Sequence, residues 1–219
     1  QARLLTNSFR NYELCIMNCE LIKVCGMRDA ENIREVEALG IDLMGFIFWP
    51  KSSRYVSHCP SYLPNNVKRV GVFVDEDIEE VKHIAHDYAL DFIQLHGSES
   101  PEYCTMLKGH HLIKAFNIAT KEDFTKAKAY EGLVDYFLFD TKGKSVGGNG
   151  EKFDWSVLTA YDSDTSFLLS GGIGPHDAEH LKAFQHPKCI GIDLNSRFEI
   201  APGLKDVNKL KEFIKELGI

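Results

Sequence analysis

The chain has 219 residues, of which 44% are apolar, 11% aromatic and 26% charged, so it can bury one large core, as one α/β barrel or as two small domains. Its 25 Lys and Arg against 32 Asp and Glu give a net charge of -7. That charge argues against nucleic acid or an anionic membrane as the main partner, and an anionic ligand must therefore be held by local groups.

Eight short runs of apolar, β-branched and aromatic residues alternate with amphipathic segments along the chain. The runs predict strands at 21–25, 43–48, 69–74, 92–95, 112–116, 136–140, 167–170 and 189–194. The amphipathic segments predict helices at 30–39, 78–86, 101–107, 121–129, 155–161, 175–184 and 207–217. Two prolines within 57–64 predict that the helix after the second strand is short or irregular.

The alternation of strands and helices predicts the fold class. Eight such units in about 200 residues fit an α/β protein with a single (β/α)8 TIM barrel better than an open doubly wound sheet. A flavodoxin-like binding module would need five strands. We assign residues 21–219 to the barrel, and we interpret residues 1–20 as an N-terminal extension or leader outside it, although an extra helix is the alternative.

The cysteines and the apolar runs indicate the compartment. The chain has six cysteines, Cys15, Cys19, Cys25, Cys59, Cys104 and Cys189. Their spacing is not that of a disulfide framework. No apolar run reaches the length of about eighteen residues that a membrane helix needs, and residues 1–20 lack the order of a signal peptide. We therefore expect a cytoplasmic protein with no membrane partner.

Candidate site residues follow the strands, because the chemistry of such barrels lies at the C-terminal strand ends. The first strand ends on Cys25, whose sulfur could point into the barrel mouth, although a buried structural cysteine is the alternative. Arg54, on the loop after the second strand, could clamp a carboxylate or phosphate, or could simply be solvated. Gln94 and His96 alternate at the end of the fourth strand and so lie on one side of it; a hydrogen-bonded structural histidine is the alternative.

Asp140 ends the sixth strand, after an apolar run. Burial among these neighbours would raise its pKa, which suits a general acid. The loop that follows contains four glycines, among them Gly148 and Gly150, and bare backbone amides bind anions.

The loops after the seventh and eighth strands are the usual phosphate site of this architecture. Gly171 and Gly172 are predicted to leave backbone N–H groups exposed at a helix start. Asp193, Asn195 and Ser196 lie where a short extra helix could begin. We therefore predict an anion site at these two loops.

Seven blocks of sequence carry a family resemblance. They are KVCGMRDAENI, GFIFWPKSSRYV, RVGVFV, IQLHG, FDTKGKSVGGNGEKFDW, LLSGGI and GIDLNSRFE with PGLKD. In this order they resemble the phosphoribosylanthranilate isomerase family of tryptophan biosynthesis over residues 21–219. The resemblance implies an Amadori rearrangement of N-(5-phosphoribosyl)anthranilate to 1-(2-carboxyphenylamino)-1-deoxyribulose 5-phosphate, with no metal or organic cofactor.

The same resemblance implies roles for individual residues. It places the general base on Cys25, the general acid on Asp140 and the arginine that anchors the substrate on Arg54. A thiolate can act as the base if its pKa is depressed or if the cationic intermediate lies close. The further substrate contacts expected are Gln94, His96 and Asp193. The expected phosphate contacts are the amides of Gly148, Gly150, Gly171, Gly172, Asn195 and Ser196. The partner is then a small phosphosugar, and the chain is a monomer or a homodimer.

Three positions depart from the family pattern. Arg28 replaces a threonine, Trp49 replaces a tyrosine, and residues 195–197 read NSR where the family commonly reads SSG. The last departure removes a glycine from the predicted phosphate loop, although Arg197 adds a positive charge there.

Two alternatives stay open. A lyase resembling indole-glycerol-phosphate synthase would rely on lysine and glutamate at strand ends, and Lys23 and Lys114 keep that hypothesis in view. A noncatalytic phosphosugar-binding barrel would keep the phosphate loops and lose turnover.

Overall fold

The barrel predicted from the alternation of strands and helices is confirmed. A computed structural model of the chain describes residues 21–141 and 155–218. Eight parallel strands pair in chain order and β8 closes on β1. They are β1 Leu21–Cys25, β2 Leu43–Ile47, β3 Lys68–Phe73, β4 Phe92–Leu95, β5 His111–Ile118, β6 Tyr136–Thr141, β7 Phe167–Ser170 and β8 Cys189–Leu194. Each predicted strand is present, with its ends within two residues of the prediction.

The helices surround this barrel. They are α1 Ala30–Glu37, α2 Ile78–Asp87, α3 Pro101–Met106, α4 Phe124–Ala127, α5 Ala178–Ala183 and α6 Val207–Leu217. Side chains of Asp29, Asp77, Ser100 and Asp206 cap four of them by accepting hydrogen bonds from first-turn N–H groups. After β8, a 3₁₀ turn at Ser196–Phe198 leads into a hairpin of β9 Glu199–Ala201 and β10 Leu204–Lys205.

Two predicted helices form differently. The segment predicted at 121–129 is α4 flanked by 3₁₀ turns at Lys121–Asp123 and Lys128–Tyr130, and Trp155–Ala160 is a 3₁₀ helix throughout. Val157 and Thr159 are β-branched, which lowers helix propensity and leaves a short connector. The region 57–64 contains no helix, whereas its prolines predicted a short or irregular one.

The hydrophobic core has two layers, which follow from the alternation of side chains along each strand. The inner layer fills the lower barrel with Leu43, Val70, Phe92, Ile113, Ala115, Leu138 and Leu168. The outer layer lies between the strands and the helices and includes Ile22, Val24, Phe139 and Phe213. The barrel is therefore plugged below, and polar side chains gather at its upper end. In the described ranges, no helix is long and apolar enough to cross a membrane.

Candidate active site

Cys25 lies at the end of β1, and the residue is only 4% exposed. A Cβ added to Gly45 on the neighbouring strand β2 would lie 2.7 Å from the Cys25 Sγ, so the glycine makes room for the sulfur. Burial raises the pKa of this thiol, and the nearby ammonium groups of Lys23 and Lys205 offset that rise only in part. This direction favours the neutral thiol in the ligand-free protein, so a depressed pKa there is not supported.

Lys23, two residues before Cys25, is enclosed in the barrel. Its Nζ lies 2.7 Å from Oδ1 of Asp193, and the other carboxylate oxygen of Asp193 accepts a hydrogen bond of 3.0 Å from the Ser170 hydroxyl. Burial alone would lower the pKa of Lys23, but Asp193 and Cys25 together outweigh it and raise that pKa above its usual value. Asp193, predicted as a substrate contact, is thus held by two protein side chains.

Arg54 lies near Cys25, and its guanidinium is already engaged. Its Nε and Nη2 donate to the two carboxylate oxygens of Glu199 at 2.8 and 2.6 Å. Gly26 has φ +81°, and a Cβ there would lie 2.7 Å from Cδ of Arg54, so a glycine lets the arginine reach the site. Lys205, which is also buried, donates to Glu199 at 2.7 Å and to the side chain of Asn195 at 2.8 Å.

Glu199 and Lys205 were missed as site residues. Both lie within the last sequence block that carries the family resemblance, and that block was the available signal. Their role depends on the β9–β10 hairpin, which returns the chain to Arg54, and residue spacing along one strand does not reveal it.

Gln94, His96 and Asp140 come together on the other side of the mouth. The His96 Nε2 lies 3.8 Å from Oδ2 of Asp140, and the Gln94 Nε2 lies 3.4 Å from Nδ1 of His96. The side chain of Asp140 is 20% exposed, so it is reachable from the mouth. Oε1 of Gln94 is buried and has no hydrogen-bond partner in the described part of the chain. β6 is three strands from β1 round the barrel, so Asp140 and Cys25 face the mouth from different sides.

Four of the six predicted phosphate residues follow β7 and β8 directly. Gly171 and Gly172 have φ of +96° and +68°, and space is open beside Gly172. They do not begin a helix as predicted, because α5 starts only at Ala178. Asn195 and Ser196 lie at the start of the short 3₁₀ turn that the sequence predicts there. Gly148 and Gly150 lie outside the described residues.

The departures from the family pattern have local consequences. Arg28 donates to the backbone oxygens of Ser53 and Pro202 at 3.1 and 2.9 Å. It therefore joins the loop of Arg54 to the β9–β10 hairpin. Arg197 is exposed at the mouth, beside the loop of Gly174.

The lysines that kept the lyase hypothesis in view are both engaged. Lys114 is buried against Glu99 at 3.2 Å and near the rings of Phe116 and Tyr130. Lys23 is paired with Asp193 inside the barrel. Neither lysine presents an ammonium to the open mouth.

Comparisons with known proteins agree with this geometry. The family model described as "PRAI: N-(5'phosphoribosyl)anthranilate (PRA) isomerase" matches residues 22–216. A Parabacteroides distasonis protein named N-(5'-phosphoribosyl)anthranilate isomerase is 56% identical over 205 residues, covering 90% of this chain and 93% of that protein.

Two solved structures are also similar, each 30% identical with a TM-score of 0.74, covering 90% of this chain and 98% of the other. One is phosphoribosyl anthranilate isomerase in complex with reduced 1-(o-carboxyphenylamino)-1-deoxyribulose 5-phosphate. The other is a monomeric form of the dimeric enzyme from Thermotoga maritima. On this evidence the chain belongs to the N-(5'-phosphoribosyl)anthranilate isomerase family.

Proposed function

We propose that this chain catalyses the Amadori rearrangement of N-(5-phosphoribosyl)anthranilate to 1-(2-carboxyphenylamino)-1-deoxyribulose 5-phosphate in tryptophan biosynthesis. The observation that carries the residue assignment is the placement of Cys25 and Asp140 at the same end of the barrel, three strands apart. An acid and a base that reach one substrate from different sides suit a reaction in which a proton is given at one atom and taken at another.

Asp140 is the general acid. It protonates the furanose ring oxygen, the C1–O bond breaks, and the sugar opens to an iminium ion. His96, with its Nε2 at 3.8 Å from the carboxylate of Asp140, supports this role by orienting it.

Cys25 is the general base. It removes the proton from C2 of the iminium ion, and the resulting enol collapses to the ketone. Because burial favours the neutral thiol, the ionisation of Cys25 is coupled to the arrival of the cationic intermediate, whose charge favours a thiolate nearby.

Arg54 holds the carboxylate of the anthranilate group. Since Glu199 occupies Nε and Nη2, the remaining nitrogen Nη1 is the one offered to the substrate. Gln94 and His96 contact the opened sugar. The amides proposed to hold the phosphate are those of Gly148, Gly150, Gly171, Gly172, Asn195 and Ser196, the first two of which lie outside the described residues.

Further parts of the proposal concern the setting of the enzyme. The substrate is a small phosphosugar, the reaction needs no metal or organic cofactor, and the chain acts in the cytoplasm as a monomer or homodimer. The ligand-bound and dimeric relatives support the phosphosugar and the homodimer, while the cytoplasmic location stays a prediction from the cysteines.

Progress curves of fluorescence with freshly made substrate test the assignment. Cys25→Ser and Asp140→Asn are each expected to lower kcat by about 100-fold or more, because each removes a proton-transfer group. Cys59→Ser and Asp164→Asn are the matched controls, since both residues are exposed and neither is among the proposed site residues. A variant that keeps the wild-type rate would contradict its residue's role. A wild type that binds a product analogue without turnover would favour the noncatalytic barrel.

A further inference from the structure

We propose that Lys23 is a positioning residue for this reaction, whose ammonium, held in place by Asp193, supplies the counter-charge for the thiolate form of Cys25. The inference rests on the proposed role of Cys25 as the base. It goes beyond that role because it names the group that makes proton removal by a buried thiol feasible.

The first support is the position of Lys23 on β1. Lys23 and Cys25 are two residues apart on one strand, so their side chains leave the same face and point into the barrel. The side chain of Lys23 is 0% exposed. A buried ammonium has no water to screen it, so its charge acts strongly on its neighbours.

The second support is the way in which the ammonium is anchored. Lys23 is the register partner of Asp193 where β1 pairs with β8, and the Nζ–Oδ1 distance is 2.7 Å. Asp193 is in turn held by the Ser170 hydroxyl from β7 at 3.0 Å. Three adjacent strands therefore fix the position of the charge, and an ammonium has two further N–H groups besides the one given to Asp193.

The third support is the balance of charge round the thiol. The charged groups near Cys25 are Lys23 on β1, Asp193 on β8, Lys205 on β10 and Arg54 on the loop after β2. Glu199 neutralises part of the positive charge of Lys205 and Arg54. With both carboxylates counted, three cations face two anions, which leaves one positive charge in excess to balance a thiolate.

Lys23 is the best placed of the three cations. Lys205 donates to Asn195 and Glu199, and Arg54 donates twice to Glu199. Among the neighbours of Cys25, Lys23 lowers the pKa of the thiol most, against the larger effect of burial. Without Lys23, burial would therefore raise the pKa of the Cys25 thiol further.

The test is the ionisation of the Cys25 thiol in the whole protein without substrate. The ultraviolet absorbance of the thiolate is followed against pH, and the signal of the other cysteines is subtracted with a Cys25→Ser derivative of each protein. Lys23→Met keeps the length of the side chain. It is expected to raise the pH midpoint of the Cys25 titration by about one unit or more. Its kcat/KM is expected to fall near neutral pH and to recover partly as the pH rises.

Two further variants guard against an effect of misfolding. Lys23→Met combined with Asp193→Asn removes both charges together, which a fold tolerates better than one unpaired charge. Its midpoint is expected above that of wild type and below that of Lys23→Met. Lys114→Met combined with Glu99→Gln treats the other buried pair in the same way, and it is expected to leave the Cys25 midpoint unchanged.

A Cys25 midpoint that stays at the wild-type value in both Lys23 variants overturns the proposal, even if turnover falls, because the lysine would then act on the fold alone. An equal rise in the Lys114 control overturns it too. The absorbance titration needs no substrate. A wild type that is inert in turnover would therefore contradict the proposed function, while the titration would still test the proposal on Lys23.

Discussion

The carboxylate of Glu199 joins two cations at the mouth of the barrel. It accepts hydrogen bonds from Arg54 at 2.8 and 2.6 Å and from Lys205 at 2.7 Å. Burial alone would raise the pKa of Glu199, but the hydrogen bonds from Arg54 and Lys205 outweigh it and lower that pKa to about 2. The carboxylate therefore stays charged in the folded protein at pH values where it would be protonated in the unfolded chain.

This shift predicts a pH-dependent part of the stability. Because the pKa is lower in the folded state, the stabilisation is fully present above the unfolded value and is lost as the pH falls from about 4.5 towards 2. Glu199→Gln is expected to lower the free energy of unfolding at pH 7 by on the order of 2 to 3 kcal/mol. Urea unfolding measured at several pH values should show this difference shrinking as the solution is acidified.

Glu79→Gln is the control for that measurement. Glu79 pairs with Lys82 on an exposed helix face, and such pairs contribute little, so the control should change stability by less than about 0.5 kcal/mol. A Glu199→Gln variant that is as stable as wild type at pH 7 would contradict the inferred strength of the Glu199 interactions.

Among the elements of the barrel, β2 and β3 each carry a glycine at a crowded position. A Cβ on Gly45 would meet the thiol of Cys25 at 2.7 Å, inside the mouth. A Cβ on Gly71 would clash with Leu90 and with the ring of Phe73, which belong to the outer layer. The two glycines are in the same sheet, but only one of them borders the proposed base.

Gly45→Ala is therefore expected to displace the sulfur of Cys25 and to lower kcat/KM by about tenfold or more, since small misplacements of a reacting group are costly. Gly71→Ala is the matched variant. It should cost about 1–3 kcal/mol of stability through overpacking, while the rate per folded molecule stays close to that of wild type. Kinetics and urea unfolding of both proteins separate the two effects. Equal activity losses in the two variants would contradict the specific role of Gly45.

At the scale of the whole molecule, α6 completes the helical layer after the barrel has closed. It lies against α1 and α5, and its buried residues are Leu210, Phe213, Ile214 and Leu217. The ring of Phe213 lies 4.9 Å from that of Phe198, which follows β8. The C-terminal helix therefore packs against the same segment that leads to the Glu199 hairpin.

Phe213→Ala is expected to destabilise the protein by about 3–5 kcal/mol, because it leaves a cavity in the outer layer. Thermal and urea unfolding followed by circular dichroism measure the loss, and the active site of the folded fraction should keep its rate. Ile200→Ala is the control, since Ile200 is exposed and contributes little to the core. A small effect at Phe213 would mean that α6 is not part of the cooperative core.

The positions of the strands were predictable from the sequence to within two residues at each end. Hydrophobic periodicity is a local property, which is why the strands could be located from it; Cys25 ends β1 as predicted, and Asp140 lies one residue before the end of β6. The helix at 155–161 was less predictable. Its amphipathic spacing resembles that of an α-helix, whereas the β-branched residues favour a short 3₁₀ turn.

The sequence by itself determined the alternation of strands and helices, the barrel that follows from it, and the family motifs at the strand ends. Only the tertiary structure decided how those motifs pair. Lys23 meets Asp193 across 170 residues, and Arg54 meets Glu199 across 145, because the closing of the barrel brings β8 and its hairpin to β1. The raised pKa of Cys25 has the same origin, since burial and neighbouring charges exist only once the barrel has closed.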